Sequence, residues 1–184
     1  MSNHINTRQA IINITTDLFM TQGYLATSTR QIALEVGITQ PNLYSHFKNK
    51  EAVYLAVFEQ LSATVGENLR QILTSNEKKP EKKLKEMANE LKRKHSFDFN
   101  MMMHDIEVEL SEELRAKLFV LWQASYFEPF LTFFKAEKQF LRIGVTPEIA
   151  VRHFLGTLAP YIRKEEHDLL TMDQVVDFFL HGIW

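Results

Sequence analysis

Between Ser28 and Lys50 two short helical patterns follow one another with a single glycine, Gly37, between them. That arrangement leaves the chain few options, because two helices joined by so short a turn must cross at a wide angle. Ser28 and Gln31 stand at the capping-box spacing and start the first helix, which turns Ile32, Ala33 and Val36 inward. Gly37 ends it, since glycine takes the left-handed conformation that stops a helix without steric cost. Thr39 caps the second helix, Pro41 sits in its first turn where a missing N–H costs nothing, and Leu43 with Phe47 forms its buried side. Ala33 supplies the small residue that the crossing requires. What remains outside is Gln40, Pro41, Asn42, Tyr44, Ser45 and His46. Amides, a phenol and an imidazole make poor core. They suit a nucleic-acid surface, where Asn or Gln can bond the N6/N7 edge of adenine and tyrosine, histidine or lysine can reach phosphates.

The rest of the chain reads as all-helical, with about nine helices, because no window alternates strictly between apolar and polar residues. A first helix from about Asn6 to Gln22 aligns Ile11, Ile14 and Leu18 beside Phe19 and is expected to stop at Gly23. A long fourth helix, about residues 49–74, carries Tyr54, Phe58, Leu61, Val65, Leu69 and Ile72 at three-and-four spacing and connects two modules. The charged stretch from Glu77 to Lys83, with Pro80 inside it, is the expected linker. A fifth helix follows with Leu84, Met87 and Leu91, then a shorter one around Phe99 to Ile106. Ser111 with Glu112 and Glu113 starts the next, because a hydroxyl cap and acids suit the positive end of the helix dipole. Pro129 should kink or break it. Thr146-Pro147-Glu148 opens a helix running to about Lys164, and Thr171 with Gln174 opens the last. The expected organisation is a helix-turn-helix domain over residues 1–50 and a helical domain over 51–184.

Composition narrows function by exclusion. With 184 residues, 45% of them hydrophobic, the chain can bury a core; its net charge of −2 excludes a strongly basic coat protein. Before the fourth helix, however, Arg8, Arg30, Lys48 and Lys50 outnumber Asp17 and Glu35, so basic character is concentrated where phosphates would lie. No cysteine is present, which removes disulfides, thiolate metal sites and cysteine nucleophiles. No apolar run approaches the ~18 residues of a membrane span, and Met1 to Arg8 is polar with no signal core, so a cytoplasmic protein without membrane contact is expected. Catalytic motifs and phosphate-binding glycine loops are missing, and no enzyme is expected. His95, Asp98, His104 and Asp105 fit no standard ligand spacing, so neither a metal nor a cofactor is expected. The lysines from Lys78 to Lys94 are interleaved with glutamates and read as a solvated linker and helix face. A cluster of methionines and aromatics in the second half, including Phe99, Met102, Met103, Trp122, Tyr126 and Phe154, could line a cavity for a small lipophilic effector. Most single members of such a cluster are ordinary core.

The run from Ser28 to Ala33 and from Gly37 to Glu51, with Arg8, Ile11, Leu18, Phe19, Gly23 and Tyr24 upstream, resembles the signature of the TetR family of transcriptional regulators. The resemblance covers the first third of the chain; beyond it only the helical architecture is similar. It implies a homodimer formed through the last two helices and an effector cavity among the middle ones. It also implies that Gln40, Pro41 and Asn42 meet bases, that Thr29, Tyr44, His46 and Lys50 meet phosphates, and that Arg30 meets either. Two departures stand out. Thr15 replaces a usual alanine, which a hydroxyl bonded back to its helix would accommodate, and Pro41 replaces a frequent glycine. The expected function is that of a repressor: two recognition helices enter successive major grooves of an inverted-repeat operator roughly 34–36 Å apart, and an effector shifts that spacing. An activator, or an effector-independent architectural protein with a solid second core, would use the same motif.

Overall fold

The structure is a computed structural model that describes residues 7–94, 105–162 and 170–183. Among these residues the chain is helical throughout, with no strand, and no helix is long and apolar enough to cross a membrane. They form two compact units. One gathers residues 7–61 with 105–119; the other gathers 62–94 with 120–162 and 170–183.

The first unit begins with α1, Thr7–Ala26, followed by α2, Thr29–Val36, and α3, Gln40–His46. The expected stop at Gly23 is a kink instead: Gly23 takes φ 83° and ψ 173°, and a last turn carries the helix to Ala26. Thr27 explains the continuation, since its hydroxyl donates to the Gly23 carbonyl at 2.7 Å and its N–H reaches the Tyr24 carbonyl at 3.3 Å. Ile11, Phe19, Ile32, Leu43 and Phe47 close the core between the three helices. Thr15 does not behave as expected, because its buried hydroxyl has no hydrogen-bond partner; Thr16 is the residue that bonds back, to the Ile12 carbonyl at 2.8 Å. Next comes α4, Lys50–Leu73, started by the Asn49 side chain, which accepts the Ala52 N–H at 2.8 Å. The chain passes from one unit to the other within α4, between residues 61 and 62. It re-enters the first unit at a π-helical turn, Asp105–Glu109, that packs on α1, and at α6, Glu112–Trp122.

In the second unit α5, Pro80–Lys94, uses its proline in the first turn, so the loop before it is shorter than the charged stretch suggests. Leu84, Met87 and Leu91 are buried on it as the spacing requires. Beyond α6 the chain makes a π-helical turn, Gln123–Phe127, and continues directly into α7, Glu128–Ala136. Pro129 therefore neither breaks nor sharply ends the helix. The wider turn absorbs it: the Glu128 N–H reaches back five residues to the Gln123 carbonyl, which offsets the donor that proline lacks. Thr146 caps α8, Pro147–Ile162, and Thr171 caps α9, Met172–Ile183, accepting the Gln174 N–H at 3.3 Å. Inside α8, Pro160 faces the Gly156 carbonyl, where the absence of a side chain on an exposed face eases the strain. α5 packs on α8 and α9, tied by Lys85 to Asp177 at 2.7 Å and by Asn89 to Asp173 at 2.7 Å. The interior is aromatic: Phe154 lies 5.3 Å from Phe130 and 4.8 Å from Phe179, and Phe133 meets Phe134 edge-on at 5.2 Å.

Candidate nucleic-acid interface

Local chemistry builds the helix-turn-helix as the sequence requires. The Ser28 hydroxyl accepts the Gln31 N–H at 3.1 Å, and Thr39 accepts the Asn42 N–H at 3.3 Å. Gly37, with φ 75°, closes α2 while its N–H reaches the Leu34 carbonyl and Ile38 reaches Ala33. Pro41 stands in the first turn of α3. Leu43 turns inward, and Pro41, Asn42, Tyr44, Ser45 and His46 are left on the solvent side, with Tyr44 47% exposed. The edge is already organised. The Gln40 amide donates to Thr29 Oγ1 at 3.0 Å, and the same hydroxyl pairs with the Tyr44 phenol at 3.2 Å. Gln40, Thr29 and Tyr44 are thus fixed by one another before any DNA arrives, which lowers the entropy lost on binding. The Ser45 hydroxyl is spent on the Asn42 carbonyl at 2.7 Å, so it restrains the helix more than it probes the surroundings. Arg30, His46 and Lys48 are exposed, and Arg8 stacks its guanidinium over the Phe47 ring at 4.9 Å.

Lys50 is placed differently from the other candidate phosphate contacts. It is half-buried, donates to the carbonyls of Tyr24 at 2.8 Å and Thr27 at 3.0 Å, and lies 3.8 Å from the centre of the Tyr24 ring. Burial lowers its pKa, against the pull of Asp105 and Glu109. Beneath it, Phe19, Tyr24 and Tyr54 pack ring to ring, with Tyr24 and Tyr54 perpendicular at 5.3 Å. Burial, reinforced by Glu51, Asp105 and Glu109, pushes the Tyr24 phenol up to about 12. Two ties to residues 105–111 complete the arrangement: Asp105 accepts the Tyr24 N–H at 2.7 Å, and Glu51 accepts both the Ser111 N–H at 2.9 Å and its hydroxyl at 3.0 Å. Nothing in the sequence pairs these residues, which are separated by 81 and 60 positions.

Of the six residues expected to line an effector cavity, Phe99, Met102 and Met103 lie outside the described residues. Tyr126 and Phe154 are buried, Phe154 as the centre of the packed aromatic cluster, and Trp122 is half-buried at 5.8 Å from Phe127. Phe119, a further aromatic of that group, is exposed. Among the described residues no cluster of acids and histidines could hold a metal.

Comparison with known proteins agrees with this geometry. Residues 11–57 match the family model described as bacterial regulatory proteins, tetR family. Over 61 residues the chain is 36% identical to the HTH-type transcriptional regulator AcrR of Shigella flexneri, a match covering 33% of this chain and 28% of that regulator's length. The sequence likeness to this curated relative therefore spans less than a third of its length. Likeness of fold extends much further. AibR, solved with isovaleryl coenzyme A and operator DNA, aligns over 96% of this chain and 97% of its own with a TM-score of 0.71 at 23% identity. FadR of Bacillus subtilis, solved with stearoyl-CoA, aligns over 94% and 95% with a TM-score of 0.73 at 16% identity. The matched helix-turn-helix and the all-helical fold around it make this chain a member of the TetR family of bacterial regulatory proteins.

Proposed function

We propose that the chain is a homodimeric transcriptional repressor that binds an inverted-repeat operator and is released by a small lipophilic effector. The observation that carries the reading is the outer side of α3: Pro41, Asn42, Tyr44 and His46 stand in solvent on a rigid, twice-capped motif, with Gln40 and Thr29 held beside them. In this reading Gln40, Pro41 and Asn42 meet base edges, Thr29, Tyr44 and His46 meet phosphate, and Arg30 serves either purpose. The protein acts in the cytoplasm, where its DNA lies, and performs no catalysis.

Dimerisation through α8 and α9 is supported by the apolar surface they leave open: Ile149 is 51% and Phe178 66% exposed, with Gly156 and Pro160 on the outer side of α8. A lipophilic effector is favoured by the aromatic interior of the second unit and by the acyl-CoA molecules bound to AibR and FadR, whose fold the chain shares. An effector that prefers the more widely spaced dimer lowers operator affinity by its differential binding, on the order of 1–3 kcal/mol. α4 is the proposed lever, since it belongs to both units. Selection of duplexes from random-sequence DNA by the purified chain tests the proposal. Enrichment of one inverted repeat, bound as a dimer and released by an acyl-CoA, is the expected result; failure to enrich any sequence would end it.

A further inference from the structure

We infer that Lys50 and Asp105 are positioning residues, which hold the corner at the end of α1 and set operator affinity without touching DNA. The inference rests on the helix-turn-helix being the DNA-binding element. Residues 23–27 turn the chain from α1 into α2, and a corner of this kind leaves backbone groups without helical partners. Three are taken by side chains from distant parts of the chain. Lys50 supplies donors to the carbonyls of Tyr24 and Thr27, and Asp105 supplies an acceptor to the Tyr24 N–H. The Tyr24 ring beneath the ammonium adds a cation–π contact at 3.8 Å. An ammonium has three N–H groups, and two of them are committed here. If Lys50 swung out to a phosphate, it would strip both carbonyls of their donor and leave the buried Asp105, only 5% exposed, without its nearby cation.

The corner decides where α2 starts, because Ser28, its cap, follows Thr27 directly. The same strip of chain is fastened a second time next to Lys50, where both carboxylate oxygens of Glu51 hold Ser111, whose hydroxyl also caps α6 through the Leu114 N–H at 3.4 Å. Residues 105–111 therefore clasp the first unit on both sides of the junction between α1 and α4. Any movement of that strip changes the donors and acceptors at the corner before it changes the DNA-facing side chains.

The test uses Lys50→Met, which keeps the aliphatic bulk and removes the donors, with Lys50→Arg as its conservative partner, and Asp105→Ala paired with Asp105→Asn, whose amide oxygen still accepts the Tyr24 N–H. Affinity for the duplex enriched by the unmodified chain is measured by fluorescence anisotropy across a salt series, together with 1H–15N spectra of the free proteins. Lys50→Met and Asp105→Ala should each weaken binding about tenfold. The slope of log affinity against log salt should stay unchanged, and Lys50→Arg and Asp105→Asn should restore most of the loss. In the free protein the Tyr24 amide proton should shift upfield in Asp105→Ala and stay near its place in Asp105→Asn. A fall in the salt slope of about 0.9 in Lys50→Met would make Lys50 a phosphate contact and overturn the inference. So would unchanged affinity in Asp105→Ala, or, where Lys50→Met does not fold, unchanged affinity together with a reduced slope in Lys50→Arg. The Tyr24 amide reports on the clasp without DNA, so a chain that enriches no duplex defeats the DNA-binding reading and leaves this measurement to decide the clasp.

Discussion

Gly66 and Gly156 are both helical glycines, and replacing each with alanine should move stability in opposite directions. In an open helical position Gly→Ala gains about 1 kcal/mol, because alanine loses less backbone freedom on folding. Gly156 is such a position: a Cβ there would meet nothing within 4 Å. Gly66 is not. A Cβ on Gly66 would stand 3.1 Å from Cα, Cβ and Oγ of Ser125, and one of those atoms is backbone within the π-helical turn that accommodates Pro129. A flexible side-chain tip could move aside, but a backbone atom moves only with its turn. Overpacking of this kind costs about 1–3 kcal/mol. Set against the same propensity gain, Gly66→Ala should be destabilising by roughly 0–2 kcal/mol, and Gly156→Ala stabilising by roughly 1 kcal/mol. The difference between the two variants isolates the crowding, since the propensity term is common to both. Urea unfolding followed by circular dichroism at one fixed protein concentration measures it, the concentration being held because association would add to apparent stability. If Gly66→Ala proved as stabilising as Gly156→Ala, the close approach of α4 to Ser125 would be refuted.

Four further outcomes are expected. Gly37→Ala should cost about 1–2 kcal/mol in the same unfolding assay, from the left-handed φ of 75° alone, since a Cβ there meets no neighbour. Gln40→Ala and Tyr44→Ala should each weaken operator binding in gel shifts by about tenfold while circular dichroism and oligomeric state stay as in the parent chain. Tyr24 should ionise near 12 in an alkaline absorbance titration. Because its folded pKa lies above that of the unfolded chain, near 10, this group's contribution to stability is complete below about pH 10 and is lost as pH rises toward 12. Phe178→Glu should shift sedimentation from dimer to monomer, since it places a charge on an apolar face that is 66% exposed in the single chain.

The elements that could be read from sequence are those whose cause is local. Ser28, Gly37, Thr39 and Pro41 each act within four residues of themselves, and each does what its chemistry predicts. The inward set of Ile32, Leu43 and Phe47 follows from helical spacing alone. Where a distant partner or a neighbouring hydroxyl intervenes, the same reasoning falls short. Gly23 looks like a stop, but Thr27 returns a hydrogen bond and Asp105 takes the next N–H, so the helix kinks and continues. Pro129 looks like a break, but a turn wider by one residue supplies the missing geometry, and no residue pattern announces a π-helical turn. Thr15 was expected to bond back along its helix, and the hydroxyl at Thr16 does so in its place, a difference of one position that spacing cannot separate. The candidate interface was legible in composition and order. The role of Lys50 was not, because a lysine's head group can serve backbone or phosphate and only the position of residues 23–27 decides between them.

The first unit is made of two separated stretches, and this has a consequence for the order in which it can be completed. Residues 7–61 leave the ribosome while residues 105–119 are still unmade, so Tyr24 has no carboxylate for its N–H, and Glu51 no serine to hold, until the intervening chain has been synthesised. The helix-turn-helix itself depends on local contacts and forms early. Its corner matures last, after most of the second unit's first segment has emerged, and a nascent or truncated chain ending near residue 61 carries a reading head whose aim is not yet fixed.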